Sequence, residues 1–170
     1  PSGAQIEELG DLVLMPGLID PHVHINEPGR TEGEGFDTAT RAAAAGGITT
    51  MVDMPLNSTP VTTSLEAFQD KLKAAEGKLH VNCGFYGGIV PGNTDALEPL
   101  IKAGVLGIKA FLCHSGIDDF PNVEEADLRA GMPILARHGV PLLAHSEMVA
   151  DHPEINAMDE EPRSHAAWLR

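Results

Sequence analysis

GLIDPHVHI, residues Gly17 to Ile25, decides the fold. It is a short run rich in apolar residues, interrupted by one proline and closing on two histidines. Four runs of similar length follow it: Ile48–Met54, Leu79–Tyr86, Gly107–Leu112 and Pro141–Ser146. Their first residues are 31, 31, 28 and 34 positions apart. A strand, its crossover helix and the next parallel strand need about 30 residues, so the interval predicts a parallel α/β sheet.

Helix-like segments fill the gaps. Phe36–Ala45 is rich in alanine and stops at Gly46-Gly47. Thr63-Ser64-Leu65-Glu66 has capping-box spacing and opens a helix running to Glu76, with Gly77 as terminator. Asp95–Ala103 ends at Gly104, and Glu124–His138 contains Pro133, which predicts a kink or a late start. Ile6–Met15 reads as a strand at the edge of a separate small β-region spanning residues 1–16. From Glu147 to Arg170 an acidic, proline-containing tail reads as a long loop entering a helix near Ser164.

Five β/α units over residues 17–170 suit a doubly wound sheet or the first five units of a (β/α)8 barrel. No GxGxxG or GxxxxGK[ST] follows any strand, which weighs against the nucleotide-binding sheet. A closed barrel takes about 250 residues, so with 170 the expected architecture is a partial TIM-type barrel.

Composition narrows the partners. The chain has 25 acidic and 11 basic residues, a net charge of −14, and its lysines and arginines form no cluster. Such a surface repels phosphate backbones and anionic lipids, so neither nucleic acid nor membrane is expected as a partner. No apolar run approaches the roughly 20 residues that span a bilayer. Cys83 and Cys113 lie in no metal-binding spacing and read as buried, reduced thiols of a cytoplasmic protein, with a disulfide between them left open. The chain opens on Pro1 with no signal peptide, which reads as a start internal to a longer product.

Three strand ends carry candidate chemistry. His22 and His24 are two residues apart on a strand, so both imidazoles face one side and can reach one metal ion; two histidines meeting by chance near a turn is the plainer alternative. Lys109 sits in the otherwise apolar Gly107-Ile108-Lys109-Ala110-Phe111. A buried lysine is costly unless neutralised, paired or chemically altered, although it can also snorkel from a barrel rim. His145 closes the fifth run, as a ligand or as a hydrogen-bonded core histidine. All three places are C-terminal ends of expected strands, where barrel enzymes assemble their sites, and that shared placement favours a site.

Gly17–His24 with Glu27-Pro28-Gly29-Arg30, together with Ala45-Gly46-Gly47-Ile48-Thr49-Thr50 and Gly107–Phe111, resembles the cyclic amidohydrolases: dihydroorotases, hydantoinases and allantoinases. Within that group, Asp53–Ser58, Gly87–Asn93 and His114–Pro121 are most similar to the allantoinase branch. The resemblance implies a TIM-type barrel with two divalent metal ions, zinc as a rule. His22 and His24 would bind the more buried ion, a carboxylated Lys109 would bridge both, and His145 would bind the second. It implies hydrolysis of the ring amide of a small cyclic ureide, allantoin to allantoate, by water activated between the ions. His114 becomes a candidate donor to the oxyanion or an ordinary loop histidine, Asn57 a ureide-binding or turn-forming residue, and Glu147 a group that orients a ligand.

Departures refine that expectation. Asn26 stands where dihydroorotases carry an arginine for the substrate carboxylate, which suits an uncharged ring bound by Asn26. Gly33 stands where relatives have tryptophan. A further histidine from the sixth strand and the general-base aspartate from the eighth are expected beyond Arg170, and His152 and His165 read as surface residues. No catalytic acid or base is therefore assigned within the chain, and alone it is expected to be inactive. Alternatives are a dihydropyrimidinase or hydantoinase, a dihydroorotase-like enzyme, or a non-catalytic half-barrel whose open edges need a partner. Homo-oligomerisation of the full-length protein is implied by resemblance alone.

Overall fold

The computed structural model describes residues 3–147. The expectations for the tail beyond Glu147, His152 and His165 included, lie outside the described residues. The elements run β1 (Leu18–Val23), α1 (Phe36–Ala45), β2 (Ile48–Asp53), α2 (Leu65–Ala75), β3 (Asn82–Phe85), β4 (Gly87–Gly88), α3 (Thr94–Ala103), β5 (Ile108–Phe111), α4 (Glu125–His138) and β6 (Leu142–His145). Every strand pairing is parallel: β1-β2-β3 form one sheet and β4-β5-β6 another.

The two sheets are joined through what the sequence reads as one strand. That run begins later than Leu79, at Asn82, and divides at Tyr86. Tyr86 donates its N–H to Asp53 O at 2.9 Å on one side, while Gly87 donates to Gly107 O at 3.0 Å on the other. The chain thus changes neighbours within two residues, and the order β1, β2, β3/β4, β5, β6 follows the sequence as in one arc of a β/α barrel.

The helices form where their sequences supply ends. Phe36 N–H, at the start of α1, donates to Glu27 Oε2 at 2.9 Å, so an acidic side chain satisfies an orphan donor of the first turn. For α2 the cap is Ser64, whose hydroxyl accepts from Ala67 N at 3.2 Å. Gly104 and Gly139 close α3 and α4 in the left-handed conformation, at φ of 109° and 65°, which a Cβ would disfavour. Pro133 lies inside α4, which continues to His138.

Two apolar clusters hold the layers together. In the larger, Phe36 and Phe68 meet Phe85 edge-on, with centroids 6.1 and 5.8 Å away, and Leu97, Leu100 and Ile108 continue it under α3. The smaller gathers Met54, Tyr86, Phe111 and Phe120 near the C-terminal ends of the strands. Gly88 shows how closely this end packs: a Cβ there would stand 2.4 Å from Phe120 Cε2. Gly88→Ala is accordingly expected to destabilise the fold by about 1–3 kcal/mol, read as a lower urea midpoint with unchanged slope. An unchanged midpoint would mean that Phe120 has room to retreat.

One expected strand does not form. Ile6–Met15 carries no strand, and Ile6, Leu12, Val13, Leu14 and Met15 are exposed. An apolar run becomes a strand only when another backbone pairs with it, and no partner strand lies beside this one among the described residues.

Candidate metal centre

His22 and His24 stand together at the C-terminal end of β1. Their Nε2 atoms are 3.3 Å apart, with ring centroids 5.2 Å apart. Two imidazole nitrogens about 2.0–2.1 Å from one tetrahedral zinc stand about 3.4 Å from each other, so the pair already has the spacing of two ligands on one ion. Burial is the largest influence on His24 and lowers its pKa; the Asn57 side chain opposes this, while the positive charges of His22, Lys109 and Lys71 add to it. The neutral imidazole, the form that ligates metal, is thereby favoured.

Lys109, in β5, is 4% exposed. No acidic side chain pairs with it among the described residues; its Nζ stands 4.8 Å over the Phe111 ring. Burial alone pushes its pKa down. A buried amine without a counter-ion is the costly arrangement anticipated from the sequence, and chemical alteration to an anion would relieve it. Metal-ligand spacing at His22/His24 and this unpaired amine fit a divalent centre.

Asn26 and Asn57 join the same region. Asn26 Nδ2 donates to Asn57 O at 3.4 Å, and Asn57 adopts a left-handed backbone, φ 75°, which asparagine tolerates better than most residues. A Cβ on Gly33 would lie 2.7 Å from Asn26 Oδ1, so Asn26 fills space that a larger residue at 33 would need.

His145 lies on the strand next to Lys109, against the Phe111 ring that the Lys109 amine also overlies. The β5–β6 register sets Lys109 opposite Leu143 and Phe111 opposite His145, and the imidazole stacks on the Phe111 ring at 4.9 Å. It also groups with Cys113 and Glu147: one donor atom from each of the three lies within 4.8 Å of the others. His114 occupies the exposed loop after β5, where Nδ1 accepts from Gly116 N at 3.1 Å and Nε2 is 3.7 Å from Asp118 Oδ1. The structure thus groups His22, His24, Asn26 and Asn57, sets the Lys109 charge within reach of His24, places His145 on the Phe111 ring that Lys109 also overlies, and leaves His114 in an exposed loop.

Both cysteines are free and half-buried, less enclosed than the sequence reading held. Burial first, then the Asp53 carboxylate, pushes the Cys83 thiol up to about 12. Little of Cys83 is then thiolate, the nucleophilic form, at pH 8. Iodoacetamide is expected to spare Cys83 in the folded protein and to label it after unfolding; equal labelling of both would contradict that environment.

The sequence reading passed over Asp53 and Lys71. Lys71 Nζ lies 2.7 Å from Asp53 Oδ2, with both side chains essentially sealed from solvent. Asp53 Oδ1 accepts the Ile25 N–H at 2.8 Å, immediately after the histidine pair. A signal was present: Lys71 falls on the buried stripe Ala67, Phe68, Lys71, Ala75 of α2, where an unpaired charge has no place.

The profile of the amidohydrolase family matches residues 13–162. The chain belongs to the amidohydrolase family. This amidohydrolase chain is 49% identical to the allantoinase of Arabidopsis thaliana, over 99% of its own length and 34% of that protein. It is 54% identical to the allantoinase of Streptomyces avermitilis, over 86% of the chain and 33% of that protein. Among solved structures, the L-hydantoinase (dihydropyrimidinase) of Arthrobacter aurescens matches with a TM-score of 0.74 and 35% identity, covering 79% of this chain and 30% of that one. The chain spans about a third of the length of the curated relatives it matches. The arc of parallel strands is accordingly part of a TIM-type amidohydrolase barrel. No helix among the described residues is long and apolar enough to cross a membrane.

Proposed function

We propose that the full-length protein is an allantoinase, opening the ring amide of allantoin to give allantoate at a divalent metal centre. The observation that carries this reading is the His22/His24 pair at ligand spacing, within electrostatic reach of a buried Lys109 that meets no acidic side chain among the described residues. Allantoinase relatives 43–54% identical over 86–99% of this chain support the substrate.

His22 and His24 would hold one ion, and Lys109 and His145 would complete a two-zinc centre. The neutral Lys109 amine adds carbon dioxide, forming a carbamate N–C bond and releasing one proton, and the product is an anionic oxygen ligand. Bound ions would polarise the ring carbonyl and acidify water. Asn26 and Asn57 offer uncharged amide groups to an uncharged ureide. His114 Nδ1 accepts the Gly116 N–H, so a neutral ring carries its own N–H on Nε2 and can donate to the developing oxyanion. Two free thiols fit a reducing cytoplasm, and a homo-oligomer completes the proposal.

The test is turnover of allantoin, hydantoin and dihydroorotate by the purified full-length protein, with metal analysis of the same sample. Allantoin turnover lost to a chelator and restored by zinc is expected; preference for hydantoin would replace the substrate. His114→Ala is expected to lower turnover by a factor of about 100 or more. Unchanged turnover would leave His114 a loop residue.

A further inference from the structure

Asp53 and Lys71 form an ion pair of 2.7 Å whose side chains are 0% and 1% exposed. Removing two charges from water is expensive, and apolar residues of similar volume often serve stability as well or better. Stability therefore gives a weak account of why the pair is there. Its remaining bonds are more informative. Asp53 uses Oδ2 for Lys71 and Oδ1 for the Ile25 amide at 2.8 Å, so the carboxylate is held at both oxygens. Lys71 also donates to Met54 O at 3.1 Å, and Met54 donates its own N–H to Val23 O at 2.8 Å.

These bonds converge on one place. Val23 and Ile25 flank His24, and both are tied to the Asp53-Met54 corner that Lys71 clamps. The β1–β2 ladder shifts register between Asp20 and Val23 and reaches only to the Val23–Asp53 pairing, so it does not fix the backbone beyond Val23. A strand end carrying two ligands needs its direction set by something else.

We propose that Asp53 is a positioning residue that aims the His22/His24 pair by gripping the amide after His24, and that Lys71 supplies the cation that lets a carboxylate stand there. The proposal rests on the reading of His22 and His24 as metal ligands. The charge pair matters here for what it holds, and a neutral acceptor of the same shape at position 53 can do the same work. An apolar residue cannot, because it leaves Ile25 N–H without a partner.

The experiment is zinc affinity of the full-length protein by competition with a chromophoric chelator, alongside thermal unfolding. Asp53→Asn with Lys71→Met removes both charges and keeps the acceptor; zinc affinity within about threefold of the parent is expected. Asp53→Leu with Lys71→Met removes the acceptor as well; zinc is expected to bind about 10–100-fold more weakly at a similar unfolding temperature. Parent-like affinity in the folded leucine variant overturns the proposal, as does an equal loss in the asparagine variant. Should the leucine variant not fold, Asp53→Ser in the Lys71→Met background, too short to reach Ile25, carries the same expectation. His22→Ala and His24→Ala separate the premise: if neither weakens zinc, the metal reading itself fails, whatever the Asp53 variants do.

Discussion

Lys109→Met is expected to strip the protein of at least one of two bound metal ions, and of ring-opening activity with it, while leaving the fold at least as stable. Lys109 is buried in β5, its amine touches no acid among the described residues, and its neighbours in the strand are Ile108, Ala110 and Phe111. Methionine has nearly the shape of lysine and no amine to desolvate, so the packing survives and the burial penalty disappears. An ammonium cannot ligate a cation and a thioether cannot form a carbamate, so loss of metal in the variant assigns the altered lysine as ligand. Lys109→Ala is expected to lose metal equally, with some stability lost to the cavity. Metal content by plasma mass spectrometry and unfolding by urea settle the matter together. Two ions per chain in either variant would remove Lys109 from the centre, and a marked fall in stability of the methionine variant would point to a hidden partner for the amine.

The parts of this architecture legible in the sequence are those written in local chemistry. Phe36–Ala45 ends where the paired glycines say it ends, and β1, β2, β5 and β6 fall inside the apolar runs that announce them. The split of the third run is invisible locally, because Tyr86 changes neighbours only once Asp53 and Gly107 are both placed. Ile6–Met15 has the composition of a strand and carries none among the described residues, because composition supplies no pairing partner.

The site divides along the same line. The HxH spacing on a strand carries its own geometry, so the 3.3 Å approach of His22 and His24 follows from the pleat. The position of His145 depends on a register between β5 and β6 that no residue of either strand declares, and it comes out beside Phe111. Asp53 and Lys71 lie 18 residues apart in different elements. Only the odd lysine on an apolar helix stripe hints at their meeting.

That meeting leads to the second large effect. Lys71→Met alone is expected to destabilise the fold by about 3–5 kcal/mol, because it leaves a carboxylate sealed in the interior without its cation. Burial is already the largest influence on Asp53 and raises its pKa, opposed first by Lys71 and then by the N–H groups of Ile25 and Met54. Removing Lys71 deletes the strongest opposing influence, so the pKa in the folded variant rises further. The sign follows from proton binding. A folded state that holds the Asp53 proton more tightly than the unfolded chain is favoured below the ordinary carboxylate value of about 3.9, and loses that advantage as pH climbs through the raised folded value. The deficit of Lys71→Met against the parent should therefore be smaller near pH 4 than at pH 7. Adding Asp53→Asn, which removes the charge, should recover most of the loss at pH 7 and flatten the pH dependence. Urea midpoints of the parent, the single and the double variant at both pH values supply the comparison. A deficit equal at pH 4 and pH 7 would mean that the loss does not come from the Asp53 charge, with the Met54 carbonyl left without its Lys71 donor as the place to look.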